Sequence, residues 1–174
     1  AFTVRGNVQV FYSRADVLKA AGLAPQQTWT EVLASCAKLH KPPAQYDFVV
    51  RADRGNGIRY GWMHWMLQYG GAVVKDPQNG DYTVVLNSPQ SKAALDQFIK
   101  LETTCGGPSP GAMGQTEAVQ LLATGKAVQS QLVLATWASL QDPKKSAVVG
   151  KLEVEPLPHP AQGKPGAVFG NWLY

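Results

Sequence analysis

Apolar positions along this chain switch repeatedly between a spacing of two and a spacing near 3.6. Val4 to Tyr12 reads as a strand, and Ala15 to Ala21 followed by Gly22 reads as a short helix with a glycine stop. After the loop Ala24-Pro25-Gln26-Gln27, Thr28-Trp29-Thr30-Glu31 has the form of a capping box. In it the Thr28 hydroxyl and the Glu31 carboxylate each satisfy an orphan backbone N–H at a helix start. Trp29, Val32, Leu33, Cys36 and Ala37 follow at helical spacing, and His40 and Lys41 stand where the helix dipole favours cations.

The pattern continues in alternation. Tyr46 to Arg51 predicts a strand, Ala52 to Gly57 a polar loop, and Ile58 to Tyr69 a helix ended by Gly70-Gly71. Ala72 to Lys75 and Tyr82 to Leu86 predict two short strands joined by Asp76-Pro77-Gln78-Asn79-Gly80-Asp81, which is hairpin punctuation. Asn87-Ser88-Pro89 supplies a cap and a first-turn proline for a helix to about Thr104, with Ala94, Leu95, Phe98, Ile99 and Leu101 expected to face inward. Beyond the Gly- and Pro-rich stretch Cys105 to Gly114, a helix is predicted over Gln115 to Ala123. Strands follow at Ala127 to Leu132, Leu152 to Leu157 and Val168 to Tyr174, with a turn around Trp137. Strands alternating with helices imply an α/β fold in three layers, a mixed sheet flanked by helices on both faces. Both ends of the chain read as cuts through a larger fold, residues 1–174 forming one lobe of it.

Composition narrows the function. The 174 residues, 45% hydrophobic, can bury the core of one domain. Charged residues make up only 16%, and the lysines and arginines are scattered, which argues against a nucleic-acid partner despite a net charge of +4. No stretch approaches the roughly 20 apolar residues of a membrane span, and the first residues lack the pattern of a signal peptide. The motifs of common catalytic sites are missing: there is no G-x-S-x-G elbow, no H-E-x-x-H, no Walker A loop, and His40, His64 and His159 have no metal-binding spacing. Glu153 and Glu155 alternate with Leu152 and Val154 as on a half-solvated strand, with no sign of a glycosidase acid pair. Neither an enzyme nor a cofactor is expected. Cys36 and Cys105 are too far apart for a C-x-x-C pair; one disulfide and two inert buried thiols are equally compatible with their positions.

Several separated blocks resemble family 1 extracellular solute-binding proteins, the maltose- and polyol-binding group of ABC importers. Val10-Phe11-Tyr12-Ser13-Arg14-Ala15-Asp16-Val17-Leu18, Ala21-Gly22-Leu23 and Thr28-Trp29-Thr30-Glu31-Val32-Leu33 are similar to that family's strand, turn and capped helix. Leu67-Gln68-Tyr69-Gly70-Gly71, Leu86-Asn87-Ser88-Pro89, Gly125-Lys126-Ala127 and Asp142 through Pro158 continue the match in order. Departures are Ser13 where the family has Asn, Leu122 where Phe is usual before the Gly-Lys pair, and Gly170-Asn171-Trp172 where Gly-Gly-Trp is common.

The resemblance implies a type II periplasmic-binding-protein fold, of which this chain would be the second lobe, with the first lobe and the chain's C-terminus lying outside it. It implies a periplasmic or extracellular protein, in some relatives anchored as a lipoprotein, that binds a sugar or polyol and presents it to an ABC permease. Ligand contacts to both lobes would favour the closed form. A sugar needs flat apolar surfaces for its C–H faces and fixed donors and acceptors for its hydroxyl edge. By motif position Trp172 is the leading candidate, with Gly170 and Asn171 beside it, and Trp137 follows. Tyr60 and Trp62 stand at a helix start, and Arg51 and Arg54 flank a loop similar to one in polyol-binding relatives, with Arg54 taken as the candidate. Gln115 and Tyr12 are carried over by motif position alone. The competing functions are a carbohydrate-active enzyme domain, which would show two cleft carboxylates about 5–9.5 Å apart, and an aromatic-lined protein-interaction module.

Overall fold

Alternation of the two periods produces strands and helices in the order β1 (Arg5–Arg14), α1 (Ala15–Ala20), α2 (Trp29–Leu39), β2 (Tyr46–Val50), α3 (Asn56–Gln68), β3 (Val74–Asp76), β4 (Asp81–Val84), α4 (Pro89–Cys105), α5 (Gln115–Ala123), β5 (Ala127–Val133), α6 (Trp137–Leu140), β6 (Leu152–Glu155) and β7 (Gly170–Leu173). The computed structural model describes the backbone of residues 5–162 and 170–173 and the side chains of residues 8–162. The main sheet has the order β2-β5-β1-β6, with β7 also paired to β1. It is mixed: β2 and β5 are parallel, while β1 runs antiparallel to β5, β6 and β7.

Neighbouring residues on each strand face opposite sides, and both sides are covered. Phe11, Phe48 and Val50 enter one core with Trp29, Trp65, Met66, Phe98 and Leu101 of α2, α3 and α4. Tyr12 and Val49 enter the other with Ala118 and Leu122 of α5 and Leu140 of α6. This is the three-layer arrangement that the alternation predicts.

The capping box forms as expected: Thr28 Oγ1 accepts from the Glu31 amide at 3.2 Å, and Glu31 Oε2 accepts from the Thr28 amide at 2.9 Å. Ser88 caps α4 with a single bond, its Oγ accepting from the Ser91 amide at 3.2 Å. The structure joins Cys36 of α2 to Cys105 at the end of α4 in a disulfide, with their Cα atoms 5.6 Å apart. That tie fixes the outer helical layer to itself.

Two expectations about facing fail. Leu95 and Ile99 are 37% and 49% exposed, because the buried stripe of α4 runs through Ala94, Phe98, Leu101 and Cys105 at helical spacing and leaves them to one side. Val154 is 37% exposed because β6 is an edge strand. The hairpin forms, but its strands are Val74–Asp76 and Asp81–Val84, joined by a 3-10 turn and Gly80 at φ 82°.

Polar chemistry inside the sheet decides where α3 sits. All seven residues of β5 are buried although Gln129, Ser130 and Gln131 occupy its middle. The Gln131 amide accepts from Trp65 Nε1 at 3.0 Å and donates to the Gly61 carbonyl at 2.9 Å and the Tyr60 carbonyl at 3.2 Å. Gln129 donates to Asp47 Oδ1 at 2.9 Å, and Ser35 donates to the same carboxylate. Burial raises the Asp47 carboxyl above its ordinary range even with these two donors. At Gly61 a Cβ would collide with the Arg51 carbonyl, so α3 closes directly onto the end of β2.

Candidate functional site

The parallel pair β2 and β5 sets a direction, and their carboxyl ends define one edge of the sheet. In open α/β sheets that edge is where ligands bind. β2 delivers Arg51, and α3 starts a few residues later after Gly55, whose φ is 94°. The start of α5 is drawn to the same place, because the Met113 carbonyl accepts from the Ala52 amide at 2.9 Å and the Asp53 amide at 3.1 Å. Since β1 is antiparallel to β5 and its residue Gln9 lies opposite Val133, residues 5–8 extend past the end of β5. There β7 pairs with them, Gly6 opposite Trp172 and Asn7 opposite Asn171. The start of β1 and its partner β7 therefore stand at the same edge as the starts of α3 and α5.

Arg51 is the centre of this edge. Its Nη1 donates to Gln115 Oε1 at 2.7 Å, and its guanidinium lies 4.4 Å from the centroid of the Tyr60 ring. The other two nitrogens, Nε and Nη2, are buried and meet no acceptor among the described residues. Burial depresses the Arg51 pKa, while Tyr60 and Asp53 push it back up. The Asp53 carboxylate lies against the first turn of α3, where a Cβ at Gly57 would collide with it. Glu117 closes on Gly114, whose Cβ would sit 2.7 Å from Glu117 Oε2 and 3.9 Å from Asp53 Cγ. Both helices start at a glycine N-cap without a side-chain cap.

On the second face, Tyr12 is fully buried. Its hydroxyl donates to the Val133 carbonyl at 3.3 Å and accepts from Thr136 Oγ1 at 3.2 Å, and its ring stacks on Trp137 at 6.2 Å between centroids. Desolvation raises its pKa. Tyr12 therefore positions the turn that carries Trp137, and offers no surface to a ligand in this chain.

The candidates from the sequence fall into three groups. Arg51's neighbours Gln115 and Tyr60 come together, and Trp137 lies at the same edge, half-buried. Trp62 does not join them: two residues along a helix from Tyr60 it points elsewhere. With Ile58, Arg59, Met63, Val73 and Leu86 it lines an apolar pocket of about 230 Å³ toward the hairpin. Arg54 is exposed on the loop before α3. The backbones of Gly170, Asn171 and Trp172 are at the edge, but their side chains lie outside the described residues.

The sequence pattern points to Arg54, whereas the structure brings Arg51 to Gln115 and Tyr60. The signal was present, because Arg51 directly follows the fully buried run Tyr46 to Val50, so its side chain starts from a buried strand end while Arg54 sits mid-loop.

A larger cavity of about 610 Å³ runs along the outer side of α5 between Pro108, Leu121 and Lys145, away from Arg51. Among the described residues the one cluster of metal-ligand types is Cys36, Asp47 and Cys105, whose sulfurs are bonded to each other.

Comparison with known proteins agrees with this architecture. The sequence profile of the bacterial extracellular solute-binding protein family matches residues 3–174. The chain belongs to that family. A curated relative from Sinorhizobium fredii, named "Probable amino-acid ABC transporter periplasmic-binding protein", is 26% identical over 175 residues, covering 96% of this chain and 37% of its own length. An ABC transporter solute-binding protein from Agrobacterium radiobacter K84, solved with ribitol, superposes with a TM-score of 0.86 at 26% identity over 99% of this chain and 42% of its own. One from Agrobacterium vitis S4, solved with D-mannitol, superposes at 0.84 with 19% identity, covering 98% and 41%. The chain thus has the type II periplasmic-binding fold and spans roughly two fifths of these relatives' length.

Proposed function

We propose that this chain is the second lobe of a two-lobe protein that captures a sugar or polyol outside the cytoplasm and presents it to an ABC permease, and that it catalyses no reaction. The observation that carries this reading is the meeting of Arg51 and Gln115 at the carboxyl edge of the sheet, with Tyr60 buried against the guanidinium, the half-buried Trp137 just past the end of β5, and the crossover strands β1 and β7 beside them. Charged and amide donors next to aromatic faces are the mixture a polyhydroxylated ligand needs. The 26% identity to a ribitol-bound protein supports the ligand class. In this reading the ligand closes the two lobes because it contacts both, and its differential affinity for the closed form drives the hinge.

Calorimetry with a panel of sugars and polyols tests the reading. The two-lobe protein should bind one of them, and Trp172→Ala in it should weaken binding by about 2 kcal/mol with little loss of stability. The isolated lobe should bind the same ligand far more weakly, because half the contacts are lost while the entropy of immobilising the ligand is nearly unchanged. Micromolar binding by the lobe alone would move the site away from the cleft proposed here.

Two other readings each have one observation behind them. The name of the Sinorhizobium fredii relative points to an amino acid as ligand. The Asp53 and Glu117 carboxylates both approach Gly114, and an enzymatic reading would have to draw its acid pair from them. Turnover of chromogenic glycosides by the two-lobe protein would replace the binding reading with the enzymatic one.

A further inference from the structure

A guanidinium withdrawn from water needs its N–H groups occupied and its charge balanced. Arg51 has neither in full. Gln115 occupies one nitrogen, at 2.7 Å, with a neutral oxygen, and the Tyr60 ring covers one face. Nε and Nη2 remain buried without an acceptor, and they are adjacent donors on one edge of the guanidinium, the edge that grips two oxygens side by side. None of the ion pairs among the described residues includes Arg51. The nearest acid, Asp53, is turned to the first turn of α3, against Gly57, and Glu117 is turned to Gly114. The two helices that start here, of 13 and 9 residues, also lack side-chain caps, so their first N–H groups add positive potential at the same edge. The cations Arg54 and Arg59 and the anions Asp53 and Glu117 on these elements leave the group with a net positive balance.

A vicinal diol could fill the two unpartnered N–H positions, but it would leave the charge of the guanidinium with only the partial compensation that Asp53 supplies. A carboxylate fills both and neutralises the charge, in the bidentate geometry for which arginine is suited. We propose that the ligand of this site carries a carboxylate, held by Nε and Nη2 of Arg51, and that it is a polyhydroxy acid such as an aldonate or uronate. The inference rests on the binding reading above and narrows it: the hydroxyls of such a ligand still meet the aromatic and amide groups, while Arg51 selects the acid over its neutral counterpart. Gln115 is then a positioning residue, which holds the guanidinium through Nη1 and leaves Nε and Nη2 for the ligand.

The test is isothermal titration of the two-lobe protein with matched pairs: ribitol against ribonate, mannitol against mannonate, galactose against galacturonate. A third arm uses amino acids, which share the carboxylate and lack the polyol. The expected result is that one acid binds roughly ten- to a hundredfold more tightly than its neutral partner. That preference should weaken as salt is raised and disappear in Arg51→Gln, with affinity for the acid falling much further than affinity for its neutral partner. Arg51→Lys, which keeps the charge and loses the fork, should recover only part of it. If the neutral polyol binds as tightly as the acid in the unmodified protein, the carboxylate assignment is overturned and the polyol reading stands. If amino acids alone bind, the polyhydroxy class is overturned while the role of Arg51 is kept. If none of the three arms binds, the binding reading fails and the inference fails with it. The comparison within the unmodified protein decides the matter even if an Arg51 variant does not fold.

Discussion

Reduction of the Cys36–Cys105 disulfide is expected to destabilise this chain by about 3–4 kcal/mol. The bond closes a loop with a sequence separation of 69. Cross-linking a loop of that size removes denatured-state entropy equivalent to about 4 kcal/mol at room temperature. Native geometry works in the same direction, because the bond ties α2 to the end of α4, and both residues are buried in the core that also holds Trp29, Trp65 and Phe98. For a chain of 174 residues such a loss corresponds to roughly 10 °C in Tm. Thermal melts with and without a reductant, and of the double variant Cys36→Ser/Cys105→Ser, measure it. Coincident melts would mean that the denatured chain is already held compact without the bond.

The second large effect concerns Glu102. This residue of α4 is 3% exposed, and neither carboxylate oxygen has a hydrogen-bond partner among the described residues. Burial pushes the carboxyl from its ordinary 4.5 up to about 8, outweighing the opposing effect of the Gly111 amide. The folded chain therefore holds a proton between pH 4.5 and about 8 that the unfolded chain has released. Folding takes up protons in that window, so stability must fall as pH rises through it and level off above. Glu102→Gln removes the titrating group. The variant should match the parent near pH 4.5 and exceed it above pH 8, with a stability difference on the order of 2–4 kcal/mol after the amide's own burial is counted. Urea titrations across pH 4.5–9 read the difference directly. Parallel pH profiles for the two proteins would show that Glu102 reaches solvent or a partner when the loop above it moves.

Helix starts were the most legible features of the sequence, because their signals are local. Thr28 and Glu31 lie three residues apart, and Ser88 precedes Pro89, so each cap forms from atoms that any helix at that place would bring together. Facing was less legible. Leu95 and Ile99 are as apolar as Phe98 and Leu101, and only the direction in which α4 meets α2, α3 and β2 determines which stripe is buried. The same limit applies at the site. Tyr60 and Trp62 are equivalent in a list of aromatics near a helix start, but the helix turns one toward Arg51 and the other toward the hairpin. Tyr12 carries the residue type of a sugar contact, and its hydroxyl is taken up by the turn after β5.

The sequence by itself determined the order of strands and helices, the layered α/β class and the family, since periodicity, caps and ordered motif blocks are properties of neighbouring residues. The tertiary structure alone decided that Cys36 and Cys105 are bonded, that Gln129 and Gln131 lock β5 to its neighbours, and that Arg51 meets Gln115 at the carboxyl edge of the sheet. Each of these depends on a contact between residues some sixty or more positions apart. Such a contact exists only once the strands are paired and the helices are laid on them, and no local pattern in the chain records it.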